Sequence, residues 1–375
     1  MRLYQEDSYA TRFQARVVRA WSDEQGHHVV LSQTLFYPES GGQPADTGVL
    51  KGEFGQVRVL YVFEEAKAFG DVVHRVDGPI PEGAEVEGEI DWNRRFRHMQ
   101  RHTAQHILSQ ALLRAGGYHT IAVSLDSPVS TVDLEEEVEE AKLQEAEALA
   151  NFAVYADYPI EAFWVSEEEL ARYPLRRPPK VQGQVRLVRI GDFDLAACGG
   201  THLRTSAQAG PIKVLKWERY KGGSRVYFMA GWEALEDYHA KHALLSRLAL
   251  SFSTSPLELE KPVRRLQEEV YALKGENLEL KEALVEALLP RALEERVLLV
   301  PAPVLGDLAK RLLSWSEKTF LLLSPEGRFA ALGPGRQEGL ERLKALGAKG
   351  GGKEVVQGSL PKEKVAAAVD PGLVS

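Results

Sequence analysis

Two pairs of side chains, far apart in the chain, carry the most distinctive chemistry in this sequence. His102 and His106 stand in RHTAQHIL, and Cys198 and His202 stand in AACGGTHLR. Histidines four residues apart lie on one face of a helix, and two glycines allow a cysteine and a histidine to turn toward a shared point. One thiolate and three imidazoles form a ligand set that suits zinc. We therefore predict that these four residues bind one metal ion.

Each half of this quartet also has a simpler interpretation. A histidine pair at helical spacing is common on helix surfaces and in cores, and a lone cysteine is usually a small buried apolar residue. Cys198 is the only cysteine in the chain, so it forms no disulfide within one molecule. A zinc peptidase is disfavoured, because Thr103, Ala104 and Gln105 fill the gap between the histidines and none is a usable general base.

The distribution of charge indicates a phosphate-rich substrate, although the formal net charge is −8. Acidic residues are concentrated at 133–147 and 258–286, where we expect solvated helices. Basic residues gather near the metal motifs instead, although many of them taken singly are compatible with an ordinary solvated surface. They are Arg94, Arg95, Arg97, Arg101, Arg172, Arg176, Arg177, Lys180, Arg186, Arg189, Lys213, Lys216, Arg219, Lys221 and Arg225.

Length and composition indicate a soluble protein of several domains. A chain of 375 residues with 44% hydrophobic content can bury more than one core. No stretch approaches eighteen uninterrupted apolar residues, and the N-terminal MRLYQEDSYATRF lacks the pattern of a secretory signal. With a single cysteine as well, we expect a cytoplasmic location and no membrane association.

The first predicted domain, residues 1–90, alternates apolar and polar residues between turn signals. This pattern is typical of short antiparallel strands that form a small β-barrel. Within it lies FYPESGGQPADTG, residues 36–48, where Gly41 and Gly42 allow close backbone approach and Gln43 can donate and accept hydrogen bonds. By itself, the glycine pair is also compatible with an ordinary turn.

The second predicted domain, residues 91–231, begins with a helix that carries the histidine pair and ends at Gly116 and Gly117. A second helix is predicted over about 134–152. Strands are predicted around 160–165, 185–190, 212–217 and 225–230, which makes this segment α+β.

Two further domains are predicted beyond the zinc-binding segment. Residues 232–290 have the apolar spacing of a helical hairpin or coiled coil, and an intermolecular coiled coil fits equally well. The predicted seam consists of Val263, Leu266, Val270, Leu273, Asn277, Leu280, Leu284 and Ala287. Residues 291–375 alternate strands and helices, which predicts a small α/β domain. Its Gly350–Gly352 run next to Lys353 fits either a phosphate-binding loop or a flexible loop.

Taken together, the motifs resemble a known family. FYPESGGQPADTG, HTAQH, CGGTH and GPIKVLKWERYKGGSRVYFMAG are similar to the editing domain of alanyl-tRNA synthetase and to its free-standing relatives, the alanyl-tRNA editing proteins. The resemblance covers essentially the whole chain, and the helical hairpin and GGGKEVVQGSL look like the C-terminal domain of the long form. Because the first editing motif begins near residue 34, we expect a chain that edits and does not charge tRNA.

The resemblance implies a zinc-containing hydrolase that removes serine, and glycine as a further substrate, from mischarged alanine tRNA. The family's metal ligands fall on His102, His106, Cys198 and His202, with one zinc ion per chain. Thr34 matches the residue thought to sense the serine hydroxyl, and Gln43 matches the glutamine of the GGQ motif. Candidate tRNA contacts are Arg94, Arg97, Arg101, Lys221, Arg225 and Lys353. The C-terminal motif departs from relatives at Lys353 and Glu354, where those often have arginine, proline and aspartate after the glycines.

Several alternatives follow from the same residues. Four protein ligands would complete a tetrahedron, as in a structural zinc site, so a tRNA-binding module without hydrolytic activity is the main competing hypothesis. A threonyl-tRNA editing module is disfavoured by the GGQ and CGGTH motifs. A cysteine nucleophile is disfavoured because a metal-bound thiolate attacks poorly. A homodimer, formed through the coiled coil or the C-terminal domain, is a further possibility.

Overall fold

The computed structural model describes residues 1–65, 70–176, 183–315 and 317–369. They form two compact units, Met1–Leu245 and Ser246–Ser375. Of the basic residues named above, Arg177 and Lys180 lie outside the described part of the chain. Within that part, no helix combines the length and the apolar character needed to cross a membrane.

A closed six-stranded barrel forms the N-terminal part, which confirms the predicted β-barrel. Its strands follow the order β1-β2-β5-β4-β3-β6, and every neighbouring pair is antiparallel. The alternation in β1 supplies part of the core, because Phe13, Ala15 and Val17 are buried inside the barrel while the residues between them are exposed. The strands are β1 (Arg12–Asp23), β2 (Gly26–Leu31), β3 (Gly48–Gly52), β4 (Gly55–Glu64), β5 (Val72–Val76) and β6 (Glu85–Ile90).

The helix that carries the histidine pair, α1 (Trp92–Gly116), begins and ends as the sequence predicts. The Asp91 side chain caps its N-terminus by accepting a hydrogen bond from the Arg94 backbone N–H at 3.1 Å. Gly117 ends it with φ 73°, a left-handed conformation that favours glycine. Buried residues occur on all sides of α1, so the helix is the centre of the α+β segment.

Two antiparallel sheets and two further helices complete the α+β segment. One sheet has the order β12-β13-β8-β7 and the other has the order β11-β10-β9. The elements are β7 (Thr120–Ser124), β8 (Ser130–Leu134), α2 (Glu140–Tyr155), β9 (Ile160–Val165), α3 (Glu167–Leu170), β10 (Val185–Ile190), β11 (Asp194–Ala197), β12 (Ile212–Tyr220) and β13 (Gly223–Ala230). The predicted start of the second helix was wrong by six residues, because residues up to Leu134 pair with β13 as a strand.

Two long helices follow, α4 (Gly231–Ser251) and α5 (Glu260–Glu295). The sequence predicts a turn near Ser253–Pro256, and the break between the two helices includes these residues. The predicted seam of α5 is largely exposed: Leu266, Leu273 and Leu280 are 47%, 62% and 68% exposed. A packed coiled coil therefore stays a prediction.

The remaining elements belong to the second unit and form an α/β arrangement around a five-stranded sheet of order β14-β15-β16-β18-β17. They are β14 (Val297–Leu299), α6 (Ala302–Leu312), β15 (Phe320–Leu323), β16 (Arg328–Leu332), α7 (Arg336–Ala345), β17 (Lys349–Gly351), β18 (Val355–Ser359) and α8 (Val365–Ala368). The loop predicted at Gly350–Gly352 is in part strand β17, since Gly350 and Gly351 pair with Gly358 and Gln357. Gly350 and Gly351 thus belong to a strand at the edge of the sheet, and Gly352 and Lys353 follow that strand.

Candidate metal centre

The two halves of the histidine–cysteine quartet meet inside the first unit. His102 and His106 are one turn apart on α1, and their ring centroids are 5.2 Å apart. Cys198 directly follows β11, and a glycine turn brings His202 back to the same place. A Cβ atom on Gly200 would lie 2.2 Å from Cε1 of His102, so this approach of the turn to the helix requires glycine.

The spacing of the ligand atoms is close to that of a metal site. Sγ of Cys198 lies 3.4 Å from Nε2 of His102 and 3.3 Å from Nε2 of His202. One ligand atom from each of the four residues lies within 4.8 Å of all the others. Around a tetrahedral zinc ion, bonds to sulfur and nitrogen imply a sulfur–nitrogen separation of roughly 3.5 Å. The arrangement thus fits a single zinc ion.

A neighbouring side chain orients each histidine ring through a hydrogen bond at Nδ1. Nδ1 of His102 lies 2.6 Å from Oε1 of Gln43, and Nδ1 of His106 lies 3.1 Å from Oδ2 of Asp194. Nδ1 of His202 lies 3.2 Å from Oγ1 of Thr103. Because amide and carboxylate oxygens only accept, His102 and His106 donate from Nδ1, and Nε2 of each ring is left for the shared centre.

The charges of the cluster favour a thiolate. Burial alone would raise the pKa of the Cys198 thiol, but its histidine neighbours, above all His102, outweigh burial and hold that pKa well below its ordinary value. Burial lowers the pKa of His202 to about 3, so its ring is neutral. For His106, burial acts in the same direction, but hydrogen bonds to Asp194 and Cys198 outweigh it and raise the pKa to about 9. A bound cation would take the place of that one proton.

A cleft of about 840 Å³ opens onto three of the ligands, His102, His106 and Cys198. This volume is within the range of small-molecule binding sites. Tyr37 and Arg186 also line the cleft. Arg186 is buried, and its Nη1 donates to the backbone carbonyls of Cys198 and Gly200 at 2.9 Å each, which holds the glycine turn against the cleft.

The sequence of this chain is similar to those of several known proteins. Residues 5–94 match the family model of class II (A) tRNA synthetases, and residues 185–227 match that of the second additional domain of threonyl and alanyl tRNA synthetases. The alanyl-tRNA editing protein AlaX-L of Pyrococcus horikoshii is 32% identical over 76% of this chain and 74% of its own length. The chain belongs to the alanyl-tRNA editing proteins.

The longer relatives are synthetases. The alanine–tRNA ligase of Pyrococcus abyssi is 34% identical over 96% of this chain and 42% of its own length. That of Thermococcus kodakarensis is 33% identical over 96% of this chain and 41% of its own length. The chain thus spans less than half the length of these ligases.

In this editing protein, Gln43 and Thr34 lie in different surroundings. Gln43 is fully buried against the quartet: besides accepting from His102, its Nε2 donates to Oγ1 of Thr201 at 2.8 Å. Thr34 is buried in the barrel, where Oγ1 lies 2.8 Å from Nε2 of His74 and accepts from the Phe36 backbone N–H at 3.0 Å. Neither side chain lines the described cleft. Gln43 therefore positions His102 and Thr201, and Thr34 positions His74 and the backbone of Phe36.

Three of the arginines predicted to contact tRNA are paired with carboxylates. Arg97 lies against Glu236, Arg225 forms two hydrogen bonds with Asp133, and Nη2 of Arg101 donates to Glu233 at 3.0 Å in a buried pair. The other three candidates have different surroundings. Arg94 donates from Nε to the Ala45 carbonyl, Lys221 lies in the exposed β12–β13 turn above Tyr220, and Lys353 is exposed between β17 and β18.

Sequence reasoning missed the three groups that complete the orientation of the site, Thr103, Asp194 and Thr201. The sequence predicted Thr103 only to be unsuitable as the general base of a zinc peptidase. The available signal was its position directly after His102, inside the ligand motif. Asp194 had a weaker signal, four residues before Cys198, and is also held by Nε of Arg176 at 3.3 Å.

Proposed function

We propose that this chain hydrolyses the ester that joins serine, and secondarily glycine, to the 3′ end of alanine tRNA, using a zinc ion held by the quartet. The observation that carries the proposal is the ligand cluster: three of its four residues line the cleft, and each histidine is hydrogen-bonded through Nδ1 to a protein side chain. A relative named as an alanyl-tRNA editing protein, matched over most of both chains, supports the substrate class.

The donor set supports zinc as the cofactor. His102, His106 and His202 offer neutral nitrogen ligands, and Cys198 offers a thiolate. Zinc bound there supplies a Lewis acid for the ester carbonyl and lowers the pKa of a water molecule. The protein's own part is to hold the ligands: Gln43 fixes the ring of His102, and Arg186 fixes the turn that carries Cys198.

Selection of serine requires a site that recognises its hydroxyl, because a pocket sized for alanine rejects an added hydroxyl poorly. We assign Thr34 an indirect part in this selection. Its hydroxyl holds the backbone N–H of Phe36, and the next residue, Tyr37, lines the cleft. The Tyr37 hydroxyl donates to the Ser40 carbonyl at 3.1 Å, which fixes that wall.

For the tRNA contacts, the surroundings of the basic residues favour Lys221 and Lys353 over Arg97, Arg101 and Arg225. A guanidinium already paired with a carboxylate gives less net attraction to phosphate than an exposed ammonium does. Self-association through the exposed seam of α5 is a further part of the proposal, because that apolar stripe otherwise faces water.

The competing function is a tRNA-binding module in which zinc only stabilises the fold. One observation favours it: all four ligands come from the protein, as in closed structural sites. The two functions differ in whether the ester is cleaved.

The deciding experiment measures zinc content and deacylation together. We expect about one zinc ion per chain and release of serine from seryl-tRNA(Ala), while alanyl-tRNA(Ala) stays intact. Repeating the assay with and without the segment after about residue 240 tests whether that segment docks tRNA. A folded, zinc-loaded protein that leaves seryl-tRNA(Ala) intact at micromolar enzyme concentration would disprove the hydrolase and leave the binding module.

A further inference from the structure

Three side chains form a row across the small sheet that lies beside the metal centre. Trp164 on β9 is the direct cross-strand partner of Arg186 on β10. On the other side of β10, the backbone N–H of Cys198 donates to the carbonyl of Arg186 at 3.0 Å. Because directly opposed residues project to the same face, Trp164, Arg186 and Cys198 share one face of the sheet.

The opposite face is part of a hydrophobic core. Val165, Val185 and Leu187 alternate with the row and are buried in one cluster. The row itself lines the cleft. Trp164 is 43% exposed, whereas Arg186 is buried and Cys198 is partly exposed.

The dimensions of the row fit one nucleoside. Neighbouring strands are about 4.8 Å apart, so the backbones at Trp164 and Cys198 are separated by roughly 10 Å. An aminoacylated adenosine with its ester near Cys198 would extend its ribose over Arg186 and its base to Trp164. A half-exposed tryptophan at that end of a cleft is a stacking surface for a base.

We propose that Trp164 stacks on the terminal adenine of the aminoacylated tRNA, with Arg186 facing the oxygen atoms of the sugar and phosphate between base and metal. This inference rests on the proposed function, because it takes the ester to lie at the quartet. Arg186 lines the cleft between Trp164 and Cys198, and the positive charge of its guanidinium suits electronegative oxygen atoms.

The test is binding of a probe that the enzyme does not turn over, adenosine carrying a 3′-seryl amide in place of the ester. Its affinity for the zinc-loaded protein is measured by calorimetry. We expect Trp164→Ala to weaken binding roughly 5- to 100-fold, as for loss of one base–aromatic stack, and Trp164→Phe to restore most of it. Trp164→Leu keeps apolar bulk on the strand without an aromatic ring and should behave like alanine.

Two controls separate stacking from a general effect. Trp217 is similarly exposed on β12 but lies outside the cleft lining, so Trp217→Ala should bind the probe as the wild type does. A second probe carries the seryl amide on a ribose without a base, and its affinity should be the same for the wild type and Trp164→Leu.

The inference is overturned if the wild type does not bind the adenosine probe, if all Trp164 variants bind it equally, or if the base-free probe loses the same affinity. The proposed hydrolysis fails separately. Trp164-dependent probe binding without cleavage of seryl-tRNA(Ala) would support the nucleoside site and reject the hydrolase. If the protein cleaves seryl-tRNA(Ala) and Trp164→Leu binds the adenosine probe as the wild type does, the hydrolase is supported and the nucleoside site is rejected.

Discussion

Thr34 and His74 form a buried hydrogen bond inside the barrel, with Oγ1 and Nε2 2.8 Å apart. Nδ1 of His74 faces the Val29 carbonyl at 3.2 Å, so Nδ1 carries the proton and Nε2 accepts from the threonine hydroxyl. The same hydroxyl accepts from the Phe36 backbone N–H. The pair therefore connects the barrel wall to the segment that leads into the cleft.

Replacing Thr34 with valine should destabilise the barrel and weaken the preference for serine over alanine. Valine leaves Nε2 of His74 and the Phe36 N–H without partners, and each unsatisfied buried group costs about 1–3 kcal/mol. Urea unfolding measures the loss of stability, and deacylation of seryl- against alanyl-tRNA(Ala) measures selectivity. Thr34→Ser retains the hydroxyl and should restore both. If Thr34→Val discriminates like the wild type, Thr34 has no part in selection.

The protein should become less stable as the pH is lowered, because His74 takes up a proton more readily in the unfolded chain. Burial lowers the pKa of His74 to about 4 from an ordinary value of 6.5, with the Val29 hydrogen bond acting in the opposite direction. Between these values the unfolded chain binds a proton that the native protein does not, so the free energy of unfolding decreases as pH falls from 6.5 to 4. The contribution is about 3 kcal/mol.

The control for this prediction is His74→Gln, which removes the titrating group and can still accept from Thr34. Urea unfolding of both proteins at pH 7, 5.5 and 4.5 should show a smaller decrease for His74→Gln. Parallel curves for the two proteins would show that His74 does not cause the pH dependence.

Gln43 should act through metal affinity. Gln43→Leu removes the acceptor that orients His102 and the donor to Thr201, and such changes behind a ligand typically lower metal affinity 10- to 100-fold. Zinc competition against a chelator measures this change. Gln43→Glu keeps an acceptor for His102 and should bind zinc more tightly than Gln43→Leu. If both bind zinc like the wild type and only hydrolysis is lost, Gln43 instead acts on the substrate.

The local sequence pattern predicts most helices and strands, but it does not predict which residues hydrogen-bond to the metal ligands. Helix α1 was predictable because an aspartate cap, an apolar stripe and a terminal glycine all lie within one segment. The end of the strand at 130–134 was not, because its sequence STVDL runs directly into the acidic, helix-favouring EEEVEE, and pairing with the distant β13 decides that Leu134 is still strand.

The same distinction holds within the site. The four ligands could be predicted from their types and spacing. The partners Gln43 and Asp194 of His102 and His106 come from distant segments of the chain, so no local pattern shows which ring each one meets. The placement of Thr34 away from the cleft depends on barrel closure, which a motif does not encode.

Self-association should depend on the α5 seam. Leu273→Glu places a charge in the apolar stripe, and sedimentation analysis should show a shift from dimer toward monomer. Leu278→Glu is the matched control, because Leu278 is 58% exposed on the same helix but outside the seam. A wild-type protein that sediments as a monomer at all concentrations, or equal shifts in both variants, would reject dimerisation through this seam.

Cys198→Ala should separate a hydrolytic site from a structural one. Cys198 lies outside the hydrophobic clusters of the first unit, and α1 and the barrel have their own cores, so we expect the folded state to persist. The loss of the thiolate should lower zinc affinity and abolish deacylation of seryl-tRNA(Ala), while binding of the tRNA is retained. Far-UV circular dichroism, zinc content and deacylation are measured on the same preparation. Global unfolding of Cys198→Ala would instead support the structural zinc of the binding module. Retained deacylation without zinc would show that the metal takes no part in the reaction.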